Sequence, residues 1–286
     1  MGTVERVRGL IELTRPVNAI AAGVLTFIGA FVAVGGSLPL TPVAAAVVAT
    51  ILATGAGNAI NDYFDREIDR INAPDRPIPR GAVSPRGALA FSGTLFLVAV
   101  ALVLAFLPLL AVGIAVFNLI ALVTYTEVFK GLPGVGNALV AYLGGSTFLF
   151  GTAAVWPVEP SVLVSVVVLS LLAALSTLAR EIIKDVEDVA GDREEGLNTL
   201  PIAIGERRAL GLAAGMLVVA AVASPVPYLL GTFGVAYLLV VVPADLVMLY
   251  AGYEGFGDPT AGQSHLKYGM FLAAVAFVVG RAVTLV

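Results

Sequence analysis

Apolar residues of this chain occur in long blocks, separated by short segments that contain glycine, proline or charged residues. Each block is about 20 residues long, which is the length of α-helix that crosses roughly 30 Å of hydrocarbon. Pro108 alone separates the third block from the fourth, so a single kinked helix is an alternative there. Nine blocks are delimited, at residues 17–35, 43–61, 88–107, 109–126, 136–156, 162–180, 209–226, 228–250 and 264–285.

The composition agrees with this pattern. Of 286 residues, 59% are hydrophobic and 13% are charged, whereas soluble domains are about 45–50% apolar and about 25% charged. The sequence therefore predicts an all-α membrane protein with nine transmembrane helices around a central cavity, closed by cytoplasmic cap loops. We interpret residues 1–286 as one polytopic domain, in which residues 1–15 form an amino-terminal arm at the membrane interface.

The basic residues indicate an orientation in the membrane. With nine spans, fifteen of the 16 Lys and Arg residues fall on one side, and Arg281 alone lies towards the other. Because short cytoplasmic loops carry an excess of Lys and Arg, the crowded side is predicted to be cytoplasmic. We therefore expect a multi-pass protein of the cell membrane, with the amino terminus and the acidic loops inside and the carboxyl terminus outside.

An acidic segment follows the second apolar block. Asn61, Asp65 and Asp69 are spaced four residues apart and would form one stripe along a helix. Stacked carboxylates repel each other unless a cation lies between them. Oxygen ligands suit Mg²⁺, and the absence of cysteine from the chain excludes disulfides, thiol catalysis and thiolate metal sites.

A second acidic segment follows the sixth block, with Asp185, Asp188 and Asp192 again on one helical face. The second and sixth helices run in the same direction, so both segments would lie on the cytoplasmic side. We interpret them as a weak internal repeat that brings two acidic faces together over one cavity.

Two other interpretations compete with a catalytic site. Charged helix ends are ordinary features of membrane proteins, but two segments in register on one side favour a functional site. A transporter would also use carboxylates and parallel repeats, although its coupling residues tend to lie near the bilayer midplane. Flux through proteoliposomes without any transfer product would favour the transporter.

The two segments resemble the paired signature motifs of the UbiA-type intramembrane prenyltransferases. The matching patterns are Asn61-Asp62-xx-Asp65-xxx-Asp69 and Asp185-xx-Asp188-xxx-Asp192, and the stretch from Arg76 to Arg80, RPIPR, strengthens the match. The resemblance extends over essentially the whole chain. One departure is Arg180, at a position where many relatives carry tyrosine.

The resemblance implies a Mg²⁺-dependent enzyme that binds a prenyl diphosphate and a lipid acceptor within the membrane, without a nucleic-acid partner. Lys184 is expected to contact the diphosphate, and Asp65 and Asp188 to be essential for catalysis. The Mg²⁺ ligands would be Asn61, Asp65, Asp69, Asp185, Asp188 and Asp192. The substrate-binding residues would be Arg15, Asn58, Asp62, Arg66, Arg76, Lys130 and Arg180.

Within the family, the stretches 61–80, 180–193 and 199–201 resemble the archaeal ether-lipid branch most. That branch moves a geranylgeranyl group onto the free hydroxyl of geranylgeranylglyceryl phosphate. Chlorophyllide, an aromatic quinone precursor and haem remain alternative acceptors. The sequence leaves the general base, the prenyl length and the oligomeric state open.

Overall fold

The computed structural model describes residues 2–124, 129, 132–194 and 196–285, which form α-helices and their connections without a β-strand. The α-helices are α1 (Thr3–Leu13), α2 (Pro16–Val34), α3 (Leu40–Phe64), α4 (Arg66–Asn72), α5 (Pro85–Phe106), α6 (Leu109–Thr124), α7 (Val135–Ala154), α8 (Pro160–Glu194), α9 (Leu200–Ile204), α10 (Glu206–Ala223), α11 (Val226–Leu229), α12 (Val235–Glu254) and α13 (Pro259–Ala282). The predicted all-α class is confirmed.

Within the part of the chain that the structure describes, seven helical segments are long and apolar enough to cross a membrane. These segments are Pro16–Val34, Leu40–Phe64, Pro85–Phe106, Pro160–Glu194, Glu206–Leu229, Val235–Glu254 and Pro259–Leu285. The other two predicted blocks also coincide with helices, but α6 is described only as far as Thr124 and α7 is rich in glycine and hydroxyl residues. The protein is therefore a multi-pass membrane protein, and the count of nine spans stays a prediction.

Several boundaries differ from the predicted blocks. At Pro108 the chain forms two helices, because Leu107 adopts an extended conformation that ends α5. In the block predicted at 228–250, the first two residues complete α11 and a turn follows, in which Gly231 has a φ of +74°. Helix α12 therefore begins only at Val235. Helix α8 has 35 residues, roughly 50 Å at 1.5 Å per residue, and its last turns extend well beyond the predicted span of 162–180.

Glycines bring α2, α7 and α8 unusually close together. A Cβ atom at Gly151 of α7 would lie 1.9 Å from the Thr26 carbonyl oxygen of α2. At Gly145 it would lie 2.4 Å from the Ser170 carbonyl oxygen of α8. Small residues permit such backbone contact between membrane helices, which gains van der Waals packing where lipid offers no hydrophobic driving force.

A central cavity of about 910 Å³ lies between the long helices. Its wall is mostly apolar and includes residues of α2, α3, α5, α6, α7, α8, α10, α12 and α13. Polar groups in the wall include Asn61 at the end of α3 and Arg180 in α8, and both helices lead directly into the acidic segments. The fold thus joins a large apolar chamber to the two acidic helix ends.

The amino-terminal arm packs against the loop that follows α4. Gly9 of α1 lies against Val83, while Val4 remains 83% exposed on the other side of the helix. Arg80 Nη2 donates a hydrogen bond of 2.6 Å to Glu12 Oε2, and this bond lowers the pKa of the Glu12 carboxyl. The exposed apolar face of α1 suits a membrane interface, in keeping with the predicted role of the arm.

Candidate active site

The first acidic segment keeps a helical register although α3 ends at Phe64. The backbone N–H of Asp65 donates to the Asn61 carbonyl, and that of Asp69 donates to the Asp65 carbonyl, both at 2.9 Å. These bonds continue the i to i−4 pattern across the junction with α4. Asn61, Asp65 and Asp69 are therefore spaced along one side of a nearly continuous helix, as the sequence predicts.

Two carboxylates of this segment are buried and bound by arginines. Arg15 Nη2 lies 2.7 Å from Asp62 Oδ1, and Arg76 Nη1 lies 2.7 Å from Asp69 Oδ2 and 3.6 Å from Asp62 Oδ1. Asp62 and Asp69 are only 4% and 5% exposed, so charge pairing offsets part of their desolvation cost. Burial of Arg76 opposes its charge, but the hydrogen bond to Asp69 and the charges of Asp62 and Asp65 outweigh burial and raise the pKa of Arg76.

The predicted substrate residues Arg15 and Asn58 lie where the arm joins the membrane helices. Arg15 adopts a left-handed conformation with φ of 46° immediately before Pro16. Asn58 Nδ2 donates a hydrogen bond of 2.9 Å to the Thr14 carbonyl. Both side chains hold the start of α2 against α3. Because Asn58 also lines the cavity, the contact between the start of α2 and α3 forms part of the wall of the site.

The Arg66 side chain contacts residues at the end of α3 and the start of α4. Its Nη1 donates to the Tyr63 carbonyl at 2.8 Å, and its guanidinium lies 4.7 Å from the centre of the Tyr63 ring. Arg66 Nε is also 3.5 Å from Glu67 Oε1. Lys130, another predicted diphosphate ligand, lies outside the described residues.

The second acidic segment lies on the last turns of α8. Asp185 Oδ2 accepts a hydrogen bond of 2.8 Å from Asn137 Nδ2 of α7. Asp192 Oδ2 accepts one of 3.0 Å from Thr199 Oγ1. Lys184 Nζ is 3.7 Å from Asp188 Oδ2, and both side chains are about half exposed. Asp185 is thus fixed by a hydrogen bond from a neighbouring helix, whereas the Asp188 side chain is half exposed.

Oxygen atoms supply the whole donor set of the two segments, which suits a hard cation. Among the described residues, no three Asp, Glu or His side chains are gathered closely enough to enclose a metal ion. Such an open arrangement fits Mg²⁺, because this ion is commonly held by one or two carboxylates together with substrate phosphates. The residues present therefore fit a magnesium ion that completes its coordination with a diphosphate.

Several residues that shape the site were not predicted from the sequence. Asn137 binds Asp185, Thr199 binds Asp192, and Gln263 and Lys267 of α13 lie beside Arg180. Asn137 carries a usable signal, since a polar residue within an otherwise apolar helix often has a functional partner. Lys267 carries none, because it resembles any basic residue near the end of a span.

The chain matches a known protein family over most of its length. The sequence model described as the UbiA prenyltransferase family matches residues 22–275, which is most of the chain. The chain belongs to the UbiA prenyltransferase family. The resemblance of the two acidic motifs to that family is confirmed, and the transporter alternative loses its support.

Relatives from this family match the chain almost from end to end. A digeranylgeranylglyceryl phosphate synthase of Natronomonas pharaonis is 68% identical over 278 residues, covering 97% of this chain and 98% of the relative. One of Haloquadratum walsbyi is 61% identical over 277 residues, covering 97% and 96%. The chain is therefore similar to these synthases over their whole length.

Solved UbiA-type structures share the fold. A structure from work on digeranylgeranylglyceryl phosphate synthase in membranes is 35% identical, with a TM-score of 0.82, and covers 97% of this chain and 99% of that one. A UbiA homologue from Archaeoglobus fulgidus, solved bound to GPP and Mg²⁺, is 17% identical with a TM-score of 0.73. The match covers 97% of this chain and 100% of the homologue.

Proposed function

We propose that this membrane protein transfers a geranylgeranyl group from geranylgeranyl diphosphate to the free hydroxyl of geranylgeranylglyceryl phosphate, with Mg²⁺ as cofactor. The product would be a diether lipid phosphate for membrane lipid synthesis. The observation that carries this proposal is the 68% identity, over 97% of the chain, to a relative named for that reaction. The apolar cavity that opens at two acidic helix ends supports it.

The reaction is a substitution at the first carbon of the prenyl donor. The bond between that carbon and the diphosphate oxygen breaks, and diphosphate leaves with the bonding electrons. The glycerol hydroxyl oxygen then forms the new C–O bond and loses its proton. Asp65 and Asp188, on the two acidic segments, are proposed as the residues on which this step depends most, and Lys184 as a cation that attracts the leaving diphosphate.

The proposed Mg²⁺ ligands are the oxygen-bearing side chains of both segments. When bound, Mg²⁺ would neutralise charge on the diphosphate as it leaves. The chain prepares this site by fixing Asp185 through Asn137 and Asp192 through Thr199. Asp69 is held by Arg76, so its proposed role as a ligand requires this guanidinium to share or release the carboxylate.

The cavity supplies the conditions that a prenyl cation needs. Apolar side chains such as Leu25, Phe96 and Phe277 line it and provide contacts for isoprenoid chains. An apolar wall excludes water, which would otherwise capture the cation and hydrolyse the donor. We propose that nine helices span the membrane and that both acidic segments face the cytoplasm, as the distribution of Lys and Arg favours.

The test of this function is a direct assay of the purified protein. It should be incubated in detergent with Mg²⁺, geranylgeranyl diphosphate and geranylgeranylglyceryl phosphate, and the lipid product identified by mass. Parallel reactions should offer a chlorophyllide, a hydroxybenzoate and haem as acceptors. Turnover of one of these acceptors without any diether product would show that the family is right and the acceptor wrong.

A further inference from the structure

Two of the four arginines that the family resemblance assigns to substrate binding, Arg15 and Arg76, are paired with carboxylates of the first acidic segment. Arg15 contacts Asp62, and Arg76 contacts both Asp62 and Asp69. Arg66 lies against the Tyr63 carbonyl and ring. Two substrates that each carry phosphate would need cations beyond these, because repulsion between two anions in one chamber is not offset by side chains that are already paired.

Arg180 of α8 and Lys267 of α13 form a second basic position, and both line the cavity. Lys267 is exposed, and no ion pair or hydrogen bond of its side chain is found within the described part of the chain. It lies within electrostatic range of two cations, Arg180 and Lys184, and of two carboxylates, which already have partners. Glu181 is bound by Arg180, and Glu187 accepts a hydrogen bond from Thr260. Like charges held close together on a cavity wall are the arrangement expected of an anion site.

The guanidinium of Arg180 is only partly used by the protein. Its Nη1 donates to Glu181 at 2.6 Å, whereas its Nη2 is 3.4 Å from Gln263 Oε1, which is at the weak end of hydrogen bonding. Its Nε is buried and has no hydrogen-bond partner among the described residues. A buried donor without a partner is costly, and a ligand that accepts from Nε and Nη2 would remove that cost.

We infer that Arg180 and Lys267 bind the phosphate carried by the glycerol of the acceptor lipid, apart from the position of the donor diphosphate. A phosphate monoester offers oxygens to the Nε and Nη2 edge of Arg180 in a paired geometry, and Lys267 adds a second positive charge. The acidic segments hold the donor diphosphate through a metal ion instead. This inference rests on the proposed function and names the residues that select a phosphorylated acceptor.

The experiment compares two acceptors, geranylgeranylglyceryl phosphate and geranylgeranylglycerol, with the full-length purified enzyme and saturating geranylgeranyl diphosphate. Lys267→Gln and Arg180→Lys are expected to raise KM for the phosphorylated acceptor about tenfold or more. KM for geranylgeranyl diphosphate should stay within about twofold. Each variant should lose the wild type's preference for the phosphorylated acceptor by a similar factor. The alcohol acceptor has no phosphate for Arg180 and Lys267 to bind, so its use should change little.

Arg208→Gln is the matched control, since Arg208 is an exposed cation at the start of α10 and does not line the cavity. Equal losses on both acceptors, or a rise in KM for the donor instead, would overturn the inference while leaving the proposed function intact. No diether product from the wild type would overturn the proposed function and the inference together. Lys267 is exposed, so the Lys267→Gln result stands even if an Arg180 variant folds poorly.

Discussion

Asn137 of α7 donates a hydrogen bond of 2.8 Å to Asp185 of α8, although 48 residues separate them in the chain. Asn137 lies in the first turn of α7, just after Gly134, whose positive φ of 72° lets the chain enter that helix. Glycine contacts such as that between Gly145 and Ser170 keep α7 and α8 close enough for the bond to form. The second acidic segment is thus positioned by a helix that carries no acidic residue.

The bond between Asn137 and Asp185 should matter more for activity than for folding. We expect Asn137→Ala to lower kcat/KM by about tenfold to a hundredfold and to raise the Mg²⁺ concentration needed for half-maximal rate, because a partner that orients a ligand tunes its affinity. Ser146→Ala is the control on the same helix, since Ser146 donates only within α7. A Mg²⁺ requirement unchanged from wild type would argue against Asp185 as a ligand.

Both acidic segments should be needed at once. Asp65→Asn and Asp188→Asn each remove one charge and are expected to reduce turnover by about a hundredfold or more, in line with the loss of a major electrostatic contact to the transition state. The thermal unfolding midpoint in detergent should stay close to that of the wild type. Asp75→Asn, at an exposed loop position between the segments, should retain activity. Near-normal turnover by either segment variant at saturating Mg²⁺ would contradict a shared site.

The left-handed backbone at Arg15 can be separated from its ion pair with Asp62. Arg15→Ala and Arg15→Gly both lose the pair, but only glycine adopts a positive φ without steric cost. We therefore expect Arg15→Gly to be more stable than Arg15→Ala by about 1 kcal/mol. Thermal unfolding in detergent measures the difference, and equal midpoints would show that this conformation stores no strain.

The contact between α2 and α7 should tolerate no side chain at Gly151. Gly151→Ala would force a Cβ atom against the Thr26 carbonyl, and the helices would have to separate at a cost of about 1–3 kcal/mol. Gly113→Ala in α6 is the matched control, because a Cβ atom there meets nothing within 4 Å. Unfolding midpoints should fall for the first variant and not for the second. An equal effect of the two substitutions would show that glycine matters through helix propensity rather than packing.

Local features of the site could be predicted, whereas its long-range partners could not. The register of Asn61, Asp65 and Asp69 follows from a spacing of four residues, and the structure keeps it across the end of α3. The pairing of Asp69 with Arg76 and of Asp185 with Asn137 depends on how loops and helices pack. Charge alone favours many partners for each carboxylate, and only the tertiary fold selects among them.

Membrane topology can be tested by labelling, because the chain contains no cysteine. Asp75→Cys and Glu159→Cys introduce single thiols at exposed positions after α3 and before α8. An impermeant maleimide applied to intact cells should label position 159, and it should reach position 75 only in inside-out vesicles. Labelling of both positions from the same side would contradict the proposed orientation.

Labelling of a third single-cysteine variant tests whether α6 and α7 both cross the membrane. Leu132 lies between these helices and is 44% exposed. With nine spans, Leu132→Cys should be labelled from the same side as position 75, because α5 and α6 return the chain to the cytoplasm. If neither α6 nor α7 crosses, the spans are the seven strongly apolar segments alone. Position 132 should then be labelled from the same side as position 159. The glycines of α7 favour the first outcome, because their backbone contacts with α2 and α8 place that helix among the spanning helices.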